Sequence, residues 1–190
     1  MIITIKSDLP KLSKALQAQE GRILRAIAQG LNEGGDKVRT QVRRAMREQT
    51  GLIRLNSVTK RERNIRAFAT GLAPKSGIGP SRGANLSYVI IYSGKPPTKP
   101  NEFKTSVTTG PGGGVTVYMW NVAHKFKRSF RQKDKGGLRM RLGGPRLPIR
   151  SFDGPNLAKE AVKDQVAETF LSKSAEIVPP IIDKRLARAL

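Results

Sequence analysis

The sequence predicts an α+β fold: a long N-terminal helix, a central antiparallel β-sheet with a hairpin, and a C-terminal amphipathic helix. Three observations carry the prediction. Apolar residues recur at helical spacing from Leu9 to Met46. Runs rich in β-branched and aromatic residues, punctuated by Gly and Pro, fill the stretch from Leu86 to Phe152. Helical spacing returns after Asn156. A length of 190 residues fits one domain, 1–190. Within it lie a helical segment at 8–50, a β-rich core at 86–152 and a second helical segment at 156–190.

Each element has its own signal. Ile2–Lys6 alternates and reads as a short edge strand. Ser7-Asp8 before Leu9-Pro10 reads as an N-cap followed by Pro in the first turn. Leu9, Leu12, Leu16, Ile23, Ile27, Leu31, Val38, Val42 and Met46 then follow helical periodicity. Asp8–Gln49 therefore predicts a helix on the order of 60 Å long. Gly34-Gly35 predicts a kink or break in it, and Gly51 its C-terminal stop. Leu72–Asn85, rich in Gly, Pro and Ser, reads as a loop that orders on contact.

Leu86–Tyr92 predicts a strand, and Lys95–Pro100 breaks it. Phe103–Thr109 and Val115–Trp120 flank Gly110–Gly114 and predict a hairpin. Leu138–Leu142 alternates apolar residues with Arg, as a half-buried strand does. Arg146–Phe152 reads as an edge strand, because Pro148 cannot donate to a ladder. Asn156 reads as the N-cap of an amphipathic helix reaching about Ser174, and Pro179-Pro180 predicts its interruption. Ile182, Leu186 and Leu190 form a terminal apolar stripe, read either as core packing or as a subunit interface.

Composition narrows the function. There are 36 Lys+Arg against 14 Asp+Glu, one His and no Cys, for a net charge of +22. A hydrophobic fraction of 37% with 5% aromatics allows a core, but a thin one. Without Cys there is no disulfide, no Cys-ligated zinc and no thiol nucleophile. A single His excludes a multi-His metal site within one chain. No apolar run approaches the roughly 18–20 residues that span a bilayer, and no signal peptide is evident, so a cytoplasmic protein is expected. The charge calls for a counter-surface: nucleic acid, an acidic protein neighbour or an anionic membrane.

The excess charge is clustered. Residues 37–66 hold ten Lys/Arg and two acids, and residues 124–150 hold ten and one. Arg39, Arg43 and Arg47 lie four apart on one helix face, beside Arg44, with few acids nearby to pair with. Lys60, Arg61, Arg63 and Arg66 continue the first patch; Lys125, Lys127, Arg128 and Arg131 carry the second. These residues are the expected contacts to DNA or an acidic partner. No zinc finger, zipper or aromatic recognition signature accompanies them, so contact with nucleic acid is expected through phosphates alone.

Enzyme signals are weak. Glu102-Phe103-Lys104 has the Glu-x-Lys spacing of a Mg²⁺ nuclease, but no second carboxylate precedes it on a predicted strand. His124 has no evident acid partner. Gly110–Gly114 leads into a strand, not into the Lys-Ser/Thr and helix of a phosphate-binding loop. No catalytic residue, cofactor or metal is expected, and a non-enzymatic protein is the reading.

The stretch from Gly137 to Pro155 resembles the minor tail protein Z family of tailed phages and prophages. The match rests on a Gly-led basic strand, Arg146-Leu147-Pro148-Ile149, and Gly154-Pro155 leading into the terminal helix. Upstream, the order is also similar: an N-terminal helix, a basic segment (Thr59-Lys60-Arg61-Glu62-Arg63), a β-rich middle and a Phe-containing element at Phe126 or Phe130. The resemblance implies a tail-component-like fold and a tail-completion or neck role without enzymatic activity. It also implies a six-fold ring near the tail terminator and connector proteins, around packaged double-stranded DNA in the virion. The alternative is a sequence-nonspecific nucleic-acid binder of ribosomal or nucleoid type.

Overall fold

A computed structural model describes residues 9–69, 86–108, 113–131, 137–141, 148–151 and 153–189. The fold is α+β, with a long first helix, antiparallel sheets and a C-terminal helix. The elements are α1 (Leu9–Thr50), α2 (Leu55–Thr59), β1 (Glu62–Ile65), β2 (Val89–Tyr92), a 3₁₀ turn (Pro100–Glu102), β3 (Lys104–Thr108), β4 (Gly114–Met119), β5 (Val122–Lys127), β6 (Ser129–Arg131), β7 (Leu138–Arg141), β8 (Ile149–Ser151), α3 (Leu157–Glu160) and α4 (Asp164–Leu186). The described strands form a pair, β1-β2, and two three-stranded sheets, β3-β4-β5 and β6-β7-β8. The expected strand at Ile2–Lys6, the cap at Ser7-Asp8 and the loop at Leu72–Asn85 lie outside the described residues. None of the described helices is long and apolar enough to cross a membrane.

The chain divides into two compact units. One comprises Met1–Val38, Ile65–Val89 and Lys173–Leu190; the other comprises Arg39–Asn64 and Ile90–Ser172.

In the first unit the end of α4 packs antiparallel on α1. A Cβ at Gly30 would lie 2.9 Å from Ile182 Cγ1, and one at Gly34 would lie 3.1 Å from Val178 Cγ2. The ring of Tyr88 fills the space over Gly35. These glycines correct the expected kink: α1 runs unbroken through Gly34-Gly35. They serve close approach of neighbours instead of a bend. Asn32 exchanges two hydrogen bonds with the backbone of Ala67, at 2.8 and 2.9 Å. Asp36 accepts from Tyr88 Oη at 2.6 Å and pairs with Arg66.

The second correction is at Pro179-Pro180, which lie inside α4. Each removes one helical N–H. Both prolines are exposed, as are Ala175 and Glu176, whose carbonyls lose their partners, so water can satisfy those groups. The expected continuous helix from Asn156 is instead two helices. Asn156 does cap the first, with its side-chain oxygen accepting from Ala158 N at 3.0 Å. Ala161–Lys163 then separate α3 from α4.

The second unit is organised around the C-terminus of α1. Gly51 adopts φ +77°, the left-handed conformation that closes a helix, and donates to Arg47 O at 3.0 Å. The two-residue turn Trp120-Asn121, with φ of 50° and 59°, joins β4 to β5 in the manner of a type I′ hairpin. That turn also serves the helix end. Trp120 N donates to Thr50 O at 2.9 Å, and Asn121 Nδ2 donates to Glu48 O at 3.0 Å. Both carbonyls belong to the last turn of α1, which has no intrahelical donors for them. Gln49 accepts from Val166 N at 3.1 Å and thus fills one of the open N–H positions at the start of α4. The core here is Val42, Met46, Val58, Phe103, Val115, Val117 and Leu157, all nearly fully buried.

Candidate polyanion-binding surface

The hairpin register decides which side chains share a face. Cross-strand partners lie on one side of a sheet, and the side alternates along each strand. Lys104, Tyr118 and Ala123 form one row; Ser106, Thr116 and Lys125 the next; Thr108, Gly114 and Lys127 the third. The alternate rows carry Thr105, Val117 and His124, then Val107, Val115 and Phe126. Val115 and Val117 are 0% exposed, so that second face is covered at its centre. The first face points outward: Lys104, Ser106, Thr108, Lys125 and Lys127 are exposed.

This outward face combines three ammonium groups with Ser and Thr hydroxyls, and β3, β4 and β5 contain no acidic residue. Lys104 Nζ lies 5.6 Å from the Tyr118 ring centroid, a cation–π distance that holds the lysine over the sheet. Such a surface suits phosphate oxygens, which accept from ammonium and hydroxyl donors without base readout.

The predicted cations divide into two sets. Arg39 and Arg43 are not free. Both pair with Glu62, whose side chain is 0% exposed. Arg43 Nε and Nη2 donate to its two oxygens at 2.7 and 2.9 Å. Tyr92 Oη donates to the same carboxylate at 3.3 Å. Burial, and then the Glu62 charge, push the Tyr92 hydroxyl above its ordinary pKa, so it stays a donor.

Arg61 is also internal, at 5% exposure. It donates to Pro96 O, Ser57 O and Pro97 O at 2.7, 2.7 and 2.8 Å, and to both Glu102 oxygens at 2.8 and 2.9 Å. Its charge and donors are satisfied inside the fold. Arg39, Arg43 and Arg61 are therefore corrected from partner-facing to structural residues. The acid that answers the α1 arginines sits on β1.

Arg44, Lys60 and Arg63 are exposed. Arg47 lies 3.8 Å from Glu48 on the surface, and Arg66 is tied to Asp36. Lys125 and Lys127 share the outward sheet face; Arg128 follows at a left-handed turn with φ 58°, and Arg131 is exposed on β6. In the terminal stripe, Ile182 is half-buried and packs against Gly30 of the same chain. Leu186 is half-buried, and Leu190 lies outside the described residues.

Lys104 joins the cationic face through strand register, which its place in the Glu102-x-Lys104 spacing does not reveal. Glu102 instead holds Arg61, while Lys104 stands over Tyr118. Among the described residues no group of three or more acidic or His side chains could hold a metal ion. His124 lies edge-on to Trp120, with ring centroids 5.8 Å apart.

No family model, curated protein or solved structure matches the chain.

Proposed function

We propose that this chain is a structural, non-enzymatic component of a tailed bacteriophage that acts in tail completion at the neck. In this reading, copies form a six-fold ring beside the tail terminator and the connector, in a virion assembled in the host cytoplasm. The observation that carries the reading is the acid-free lysine and hydroxyl face of β3-β4-β5. A ring around packaged DNA has to meet phosphates of any sequence and let them pass. Lysine contacts to phosphate are sequence-independent and allow sliding. The motif order Arg146–Ile149, Gly154-Pro155 and terminal helix supports the tail assignment.

Deletion of the gene from its phage tests the proposal. Filled heads and tails are expected to accumulate unjoined, and a complementing copy is expected to restore infectious particles. Normal infectious yield without the protein would contradict it. Co-purification of the chain with ribosomes or nucleoid, and absence from virions, would favour the nucleic-acid binder instead.

A further inference from the structure

We propose a second anion site, in the first unit: a phosphate-binding cleft built from four guanidiniums. The cleft has a volume of about 340 Å³ and is lined by Arg22, Arg25, Ala26 and Gln29 from α1 and by Arg185 and Arg188 from the chain's C-terminal end. That volume lies at the small end of ligand sites, which span about 300–1,000 Å³. Ala26 is buried and leaves room where a larger side chain would fill the cleft.

One of the four guanidiniums is paired within the chain. Glu33 accepts from Arg185 Nη2 at 2.8 Å and Nε at 3.3 Å, and shares its carboxylate with Lys37 at 3.3 Å. Among the described residues, the guanidiniums of Arg22, Arg25 and Arg188 have no carboxylate partner. The carbonyl end of α4 accounts for a cation at Arg188. It does not account for Arg22 and Arg25, which lie one turn apart in the interior of α1. Like charges at that spacing repel. All four residues are arginine, whose planar fork matches phosphate oxygens in a bidentate way that lysine cannot. The ligand class is therefore a phosphate group, either free or as the phosphodiester of nucleic acid. The site shares no residue with the sheet face.

The test titrates the full chain with inorganic phosphate, and separately with a short random duplex, by calorimetry at constant ionic strength. Wild type, R22A/R25A and R22K/R25K are compared. K104Q/K125Q/K127Q serves as the control for the sheet face. Wild type is expected to bind phosphate saturably, and R22A/R25A to weaken it by about tenfold or more. R22K/R25K is expected to lose most of the same affinity, since it keeps the charge and loses the fork. The lysine-face control is expected to keep phosphate binding, so the two surfaces fail separately. A parallel loss of duplex binding in R22A/R25A assigns the ligand to nucleic acid; unchanged duplex binding assigns it to free phosphate. Absence of saturable phosphate binding to wild type, or arginine variants equal to wild type on both ligands, would overturn the proposal. R22K/R25K binding as tightly as wild type would overturn it too. Thermal melts of the variants report folding, and both positions are exposed.

Discussion

Glu62 carries two guanidiniums on one buried carboxylate, and the consequences are local and large. Replacing it with Gln leaves Arg39 and Arg43 close together without their counter-charge. Breaking a fully buried pair costs about 3–5 kcal/mol, and the partial exposure of both guanidiniums puts this loss at or below the lower end of that range. Urea unfolding of E62Q should show that loss; a variant as stable as wild type would contradict the internal role of these arginines. The pair was half legible. The four-residue spacing of Arg39 and Arg43 is plain in the sequence, but their acid lies 23 and 19 positions further on. Helix-pair rules see only one helix, and the partner comes from another element.

A second residue-scale prediction concerns pH. Hydrogen bonds from Arg185 and then Lys37 hold Glu33 below its ordinary pKa of 4.5. The folded state therefore binds fewer protons than the unfolded chain in the window below 4.5. The Glu33 contribution is present above that value and is lost as the pH falls through the lower, folded pKa. E33Q should lose a small amount of stability at neutral pH, and wild type and variant should converge in acid. Stability curves that stay parallel down through that window would contradict this.

At the scale of elements, the glycines of α1 make opposite predictions. A Cβ at Gly21 meets nothing within 4 Å, so G21A should gain about 1 kcal/mol from helix propensity alone. At Gly30, Ile182 is too close, and at Gly35 the Tyr88 ring stands in the way. G30V and G35A should each cost about 1–3 kcal/mol through overpacking. Thermal melts of the three variants check the contrast, and stabilisation by G35A would refute the packing explanation. The sequence shows that Gly34-Gly35 is unusual; it does not show whether a bend or a neighbour requires it. That choice depends on Val178 and Tyr88, which are distant in the chain. The same holds for β5. Trp120-Asn121 is not a familiar two-residue turn sequence, since Gly is the usual occupant where φ is positive. The turn exists because the end of α1 accepts its two N–H donors. Strands with clear alternation, such as Leu138–Arg141, and ends marked by Asn156 or Gly51 needed no such context and were readable directly.

For the whole molecule, a net charge of +22 resolves into charges consumed inside the fold and charges turned outward. Composition gives the surplus, and clustering gives its neighbourhood. Only strand register separates Lys104, Lys125 and Lys127 from the spent charges of Arg39, Arg43 and Arg61. The expected patch at residues 124–150 therefore stands partly on the outward face, and the patch at residues 37–66 is partly internal. The sheet face predicts binding that tracks ionic strength and ignores base sequence.

Affinity for random duplex DNA across a salt series, wild type against K104Q/K125Q/K127Q, tests that prediction most directly. Each phosphate contact adds about 0.9 to the slope of log affinity against log salt. The account predicts steep salt dependence for wild type and a slope shallower by roughly 2–3 for the triple variant, with folding unchanged. Equal slopes for the two proteins, or wild-type binding indifferent to salt, would contradict it.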